Sequence, residues 1–184
     1  MARVISSMVA LGTKAPDFTL PDTVSGKNKS LNDIKGEAGT VIMFICNHCP
    51  FLLHVNDELV KLANDYRDKG IGFIAISAND VVTHSGDGPE QMKETALRLH
   101  YPFPYCYDEK QEVARAYAAA CTPDFFIYDK ERRLAYRGQL DDSRPGNGIP
   151  VTGQNIRAAL DCLGAGKRVP AEQRPSIGCN IKWK

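Results

Sequence analysis

The sequence predicts an α/β fold, with a central mixed β-sheet flanked by helices, an N-terminal β-hairpin before it and a C-terminal tail after it. Three observations predict this. Residues 40–45 and 71–77 are apolar runs without alternation, the pattern of strands buried on both faces. Between them Leu52, Val55, Leu59, Leu62 and Tyr66 recur at intervals of 3, 4, 3 and 4, the period of an amphipathic helix. Strand, helix and strand in succession imply a right-handed parallel crossover. Further on, residues 124–129 and 133–137 read as strands joined by a Lys130-Glu131 turn, which adds an antiparallel hairpin.

The remaining elements follow in order. Residues 14–22 enter a short strand through Pro16, turn at Ser25-Gly26-Lys27 and return through Lys29-Ser30-Leu31. Residues 32–36 form a helical turn ended by Gly36. Pro50 stands in the first turn of the long helix, where proline costs little, and Gly70 ends that helix. Residues 79–88 are polar and glycine-bearing, a loop. Pro89 opens a helix to about Leu99, residues 105–107 form a short strand, and residues 109–120 a helix with Val113, Ala116, Tyr117 and Ala120 on one face. Residues 141–150 are a loop rich in glycine and proline. Thr152 is placed as the N-cap of a last helix whose apolar face is Ile156, Leu160 and Leu163. The tail after Gly166 lacks periodicity. The expected organisation is one domain over residues 1–184, with residues 1–13 as N-terminal extension and 166–184 as C-terminal tail.

Composition excludes several classes of function. The 184 residues are 43% hydrophobic and 24% charged, ordinary for a globular domain. The formal net charge of +1 gives no attraction to nucleic acid or an anionic membrane. No apolar run approaches the roughly 20 residues of a membrane span, and the N-terminus lacks the apolar core of a secretory signal. The expected location is cytoplasmic. Six cysteines in a chain this long do not make a disulfide scaffold.

One cysteine pair calls for explanation. Cys46-Asn47-His48-Cys49 stands between the first apolar strand and the long helix. A CxxC at such a junction is a redox device. The free N–H groups and positive dipole end of the helix favour a thiolate. Cys46 is therefore expected to be the nucleophile, with a lowered pKa, and Cys49, one turn on, the thiol that closes the disulfide. A partly protonated His48 would stabilise the Cys46 thiolate and make the couple more oxidising. His54 falls on the polar face of the helix, and His84 and His100 show no role.

This order of elements, with Thr122-Pro123 ahead of Phe125-Phe126-Ile127, resembles the thioredoxin fold. The resemblance implies a cis-proline at Pro123, with Thr122 beside it, shaping a groove for an extended substrate chain. Residues 15–20 (Ala-Pro-Asp-Phe-Thr-Leu) resemble the opening of peroxiredoxins of the alkyl hydroperoxide reductase and thiol-specific antioxidant type. The stretches Cys46–Pro50, 121–126, 136–139, 141–148 and 176–183 are similar to those of bacterial peroxiredoxin-like, redoxin-type proteins with a CxxC. Two departures stand out. Where peroxiredoxins place Pro and Thr seven and three residues before the peroxidatic cysteine, this chain has Gly39 and Met43 before Cys46, or Ile42 and Cys46 before Cys49. Where thioredoxin has a buried acid upstream of its CxxC, this chain has Thr40, so no carboxylate is expected there.

Three functions fit these residues. The first is a thiol-disulfide oxidoreductase, with Cys46 attacking and Cys49 resolving. Its partners would be protein or small-molecule thiols and disulfides, with a reductant such as thioredoxin or glutathione and no cofactor. The second is a thiol-dependent peroxidase that forms a sulfenic acid at Cys46. The third is a non-catalytic Cu(I) or Zn protein using Cys46, His48 and Cys49. Auxiliary roles are open to Cys121, to Cys179 if the tail folds back, and to Arg144 as a positive charge near the thiolate. Cys106 and Cys162 read as packing residues.

Overall fold

The computed structural model describes residues 3–184; Met1 and Ala2 of the expected extension lie outside the described residues. The chain runs β1 (Arg3–Ile5), β2 (Thr19–Pro21), β3 (Asn28–Ser30), α1 (Leu31–Ile34), β4 (Gly39–Phe44), α2 (Pro50–Arg67), β5 (Ile71–Ser77), a 3₁₀ turn (Ser85–Asp87), α3 (Pro89–Arg98), β6 (Tyr105–Tyr107), α4 (Glu112–Ala116), β7 (Cys121–Thr122), β8 (Asp124–Asp129), β9 (Leu134–Arg137), α5 (Gln154–Gly164) and β10 (Ile177–Asn180). The central sheet has the order β6-β5-β4-β8-β9. β5 runs parallel to β4 and β6, whereas β8 is antiparallel to β4 and β9. This is the expected thioredoxin-like mixed sheet.

All six residues of β4 are buried. Successive side chains of a strand point to opposite faces, and two apolar cores result. Val41 and Met43 join Leu52 and Leu59 of α2, Met92 of α3, and Ile156 and Leu160 of α5. Ile42 and Phe44 join Phe18, Leu20, Leu31, Tyr117 and Phe126. Phe44, Tyr117 and Phe126 meet in pairs at 5.6–5.7 Å between ring centroids, in tilted and edge-on arrangements that suit the ring quadrupole.

Four local readings are corrected. Leu31 begins α1 instead of ending β3, because Ser30 and Asp33 form a reciprocal capping box around it. α4 is much shorter than residues 109–120, since Gln111 (φ 62°) and Ala118 (φ 50°) bound it in left-handed conformations. Gln111 is fixed there by its side chain, whose Nε2 donates to the carbonyls of Ala78 (2.6 Å) and Lys182 (2.8 Å). Thr152 does not cap α5. The helix starts after Gly153 (φ 67°), and the N–H groups of Thr152 and Gly153 both donate to Asp141 at 2.7 Å. The tail carries β10, which lies between β1 and β7 in a second sheet. Among the described residues no helix is long and apolar enough to cross a membrane.

Candidate active site

Five separate segments converge at the end of β4: the CNHC loop, the 3₁₀ turn, the start of α2, β7 with Pro123, and β10. The Thr122–Pro123 bond is cis. Cys46 Sγ lies 3.3 Å from the Thr122 hydroxyl, and Cys49 Sγ lies 3.0 Å from the Thr122 carbonyl oxygen. Cys179 Sγ is 2.8 Å from Cys49 Sγ. All three cysteines are buried, and all six in the chain are free thiols.

β10 reaches this point because Gly178 has no side chain. A Cβ there would fall 2.1 Å from the Thr122 carbonyl oxygen. With that approach open, Cys179 pairs in register with Thr122 and faces the CxxC. The tail does fold back, and it brings Cys179 to the CxxC. Cys121 stays apart, its thiol directed at the Pro123 carbonyl (3.6 Å), and burial pushes it above the ordinary thiol range. Burial likewise pushes the Cys106 thiol up to about 12.

The lowered pKa expected of Cys46 falls to Cys49 instead. α2 begins at Pro50, so Cys49 is its N-cap, and the helix end serves Cys49 first. Cys49 donates to Cys179 Sγ at 2.8 Å, and its neighbours Cys46 first and then Cys179 outweigh burial and hold its pKa down to about 5. Cys46 is raised, because it gives its hydrogen to Cys49, because it is desolvated, and because Asp87 is a nearby negative charge. Cys179 is pushed up to about 12 by burial and then by its own hydrogen bond to Cys49. The Cys49 thiol can alternatively donate to the Thr122 carbonyl. Of the three thiols, Cys49 is the one whose thiolate is favoured, while Cys46 and Cys179 are disfavoured.

Sequence reasoning missed the acid of the site. Thr40 supplies none, yet Asp87 is fully buried beside the CNHC loop. It accepts from Asn47 N (2.7 Å) and Asn79 Nδ2 (2.7 Å), and its Oδ2 is 2.8 Å from His48 Nδ1. The His48 ring also stacks on His84, at 5.5 Å and 18° between planes. His84 thus has a structural role that the sequence did not show. The only available signal for Asp87 was its place in a polar, glycine-bearing loop, where a solvated acid would read identically.

The metal set expected from Cys46, His48 and Cys49 is not the one gathered. Cys46 Sγ, a His48 nitrogen and an Asp87 oxygen lie within 4.8 Å of one another, a mixed S/N/O set. Arg144 is not placed as the cation of the thiolate. Its guanidinium donates to the carbonyls of Asp141 (2.7 Å) and Ser143 (2.6 Å) and to Gln139 Oε1 (2.5 Å), tying its own loop. Arg144 does line a cleft beside Pro123, with Phe51, Gln139, Ser176 and His54. Although His54 falls on the polar face of the helix, its Nε2 is buried and has no hydrogen-bond partner among the described residues.

The comparisons with known proteins agree with this geometry. The chain is 27% identical over 129 residues to the thiol-disulfide oxidoreductase ResA of Geobacillus thermodenitrificans, covering 68% of this chain and 67% of that one. It is 33% identical over 108 residues to a Mycobacterium tuberculosis protein provisionally named a peroxiredoxin, covering 59% of this chain and 63% of the relative. A crystal structure of an uncharacterized conserved protein from Geobacillus kaustophilus superposes with a TM-score of 0.98 at 60% identity, over 100% of this chain and 97% of the other. The thioredoxin domain of a Bacteroides vulgatus thiol-disulfide oxidoreductase shares the fold, with a TM-score of 0.60 at 23% identity over 71% and 89% of the two chains. The AhpC/TSA family model matches residues 11–137, a span that holds the CNHC loop, Asp87 and the cis-proline, and the chain belongs to that family.

Proposed function

We propose that the protein is a thiol-disulfide oxidoreductase whose working pair is Cys46 and Cys49. The observation that carries this reading is the placement of two buried thiols at the start of α2, both against Thr122 of the cis Thr122–Pro123 bond. Cys46 passes its proton to the Cys49 thiolate and attacks one sulfur of a substrate disulfide. A Cys46–substrate bond forms as the substrate S–S bond breaks, and the leaving thiolate takes the proton from Cys49. Cys49 then attacks Cys46 Sγ, closing the Cys46–Cys49 disulfide and expelling the second substrate thiolate. Two electrons pass from the dithiol to the substrate, and a thiol reductant such as thioredoxin or glutathione restores them. The cleft beside Pro123 suits an extended partner chain held through Thr122 and the neighbouring backbone. His48, held by Asp87 at 2.8 Å, stands beside Cys46.

Glutathione disulfide tests this reading. Cys49→Ser is expected to accumulate one glutathione adduct, mapped to Cys46 by mass spectrometry. Absence of that adduct, or its appearance at another cysteine, overturns the assignment.

One observation favours a peroxidase as a second reading. The Thr122 hydroxyl beside Cys46 replaces in space the threonine absent from the linear motif. Against it, the charge next to Cys46 is the Asp87 carboxylate, not a guanidinium. Reaction of the reduced protein with hydrogen peroxide at the rate of a free thiolate is the expected outcome. A far faster rate, with sulfenic acid at Cys46, would establish the peroxidase.

A further inference from the structure

We propose that Cys179 is a third redox thiol, and that the disulfide formed at Cys46–Cys49 migrates to Cys49–Cys179. This rests on the oxidoreductase reading and extends it to a residue 130 positions from Cys49 in sequence.

The geometry carries it. Cys179 Sγ stands 2.8 Å from Cys49 Sγ, and both are shielded from water. The approach is built in from two sides. Gly178 lets β10 lie against the Thr122 carbonyl, and the ladder to β7 fixes Cys179 in register with Thr122. A packing cysteine would not require its strand to meet a carbonyl so closely.

In the reduced protein the Cys49 thiol donates to the Cys179 sulfur. Once Cys49 is oxidised it no longer carries a proton or a charge, and its sulfur becomes an electrophile with a thiol already against it. Cys179 attacks Cys49 Sγ, the Cys49–Cys179 bond forms, the Cys46–Cys49 bond breaks, and the proton of Cys179 passes to the departing Cys46. The sum is Cys179–SH plus Cys46–S–S–Cys49 giving Cys49–S–S–Cys179 plus Cys46–SH. It consumes no oxidant. Cys46 is then a free thiol again, beside the part-exposed His48, while the oxidation rests in the inner pair. A single chain can accordingly hold one internal disulfide and one partner on Cys46 at once.

The test oxidises the reduced wild-type protein with excess glutathione disulfide, quenches with acid, alkylates the free thiols and maps the peptides. The expected product contains a Cys49–Cys179 linkage together with glutathione on Cys46. In Cys179→Ser, and in Cys179→Ala should the serine variant fail to fold, the expected product is the Cys46–Cys49 disulfide with loss of the glutathione adduct. Wild-type protein showing only Cys46–Cys49, with Cys179 fully alkylated, overturns the proposal and leaves the oxidoreductase reading intact. If no internal disulfide forms in any of these proteins, the oxidoreductase reading falls as well.

Discussion

Two buried polar clusters flank Pro123, and they are built on opposite principles. On one side Asp124 faces Arg137 at 3.3 Å, both wholly buried. Ser6 Oγ donates to Asp124 (2.8 Å) and accepts from Arg137 (3.0 Å), Arg137 also donates to the Ala118 carbonyl (2.7 Å), and the Ala120 N–H donates to Asp124 (3.1 Å). The Arg137 guanidinium lies over the Phe126 ring at 4.3 Å. The two charges cancel, and of the guanidinium nitrogens only Nη1 lacks a partner among the described residues. On the other side three thiols lie together, Cys49 favoured as the thiolate, and the charge acting on Cys46 is the Asp87 carboxylate. Balanced charge makes a cluster inert. Unbalanced charge held by labile protons makes one reactive.

The sharpest way to break the comparison is to unbalance the inert side. Asp124→Ala leaves Arg137 buried without its counter-charge, which typically costs about 3–5 kcal/mol. Denaturant unfolding should register that loss, while the glutathione reaction of the folded fraction keeps its rate. An unchanged midpoint would mean that water or a rearranged Ser6 replaces the carboxylate.

The second effect concerns the reactive side and its pH dependence. The Cys49 pKa of about 5 lies below the ordinary thiol value of 9.0. A depressed acid stabilises the fold where the unfolded thiol is already ionised, and that contribution is lost as pH falls toward the folded value. The reduced protein should therefore lose stability between about pH 9 and pH 5. Above that window the raised Cys46 and Cys179 act in the opposite sense, opposing the fold as the unfolded thiols ionise. Thiolate absorbance should show one transition near pH 5 that disappears in Cys49→Ser. Its survival there and loss in Cys46→Ser would return the resting charge to Cys46. Stabilising the reduced form also raises the reduction potential, so the couple is expected to be more oxidising than the about −270 mV of thioredoxin. Equilibration with glutathione measures this directly.

The legibility of the sequence divides along related lines. Strands β4, β5 and β8, helices α2 and α3, and the CNHC loop were readable because each is specified by neighbours in sequence: an unbroken apolar run, a 3–4 repeat, a proline at a helix start. The early end of α4 was not readable, because a side-chain bond from Gln111 to distant carbonyls decides it. The same holds for Asp141 capping α5 in place of Thr152. At the site Cys46, Cys49, Thr122 and Pro123 carried a motif, whereas Asp87 and His84 carried none. Cys179 was legible only as a cysteine in an aperiodic tail, since the glycine that admits it acts through a carbonyl 56 positions away in sequence (178 minus 122). Long-range convergence leaves no local period, and the reactive cluster depends on it more than the apolar cores do.

The smallest effect separates the two residues that frame Cys46. Asp87 bears a charge that opposes ionisation of Cys46, and its contact with His48 at 2.8 Å offsets part of that charge when the ring is protonated. The two substitutions should then act in opposite directions. His48→Ala leaves the carboxylate uncompensated and slows alkylation of Cys46 by iodoacetamide. Asp87→Asn removes the charge, keeps hydrogen-bonding capacity toward Asn47 N, and speeds it. Each change is expected to be about tenfold, the response to ~1.4 kcal/mol of charge interaction at this range. Peptide mapping restricts the reading to Cys46. If both variants slow the reaction, Asp87 acts chiefly by orienting His48, and the site works as a cysteine–histidine–aspartate relay instead of by competing charges.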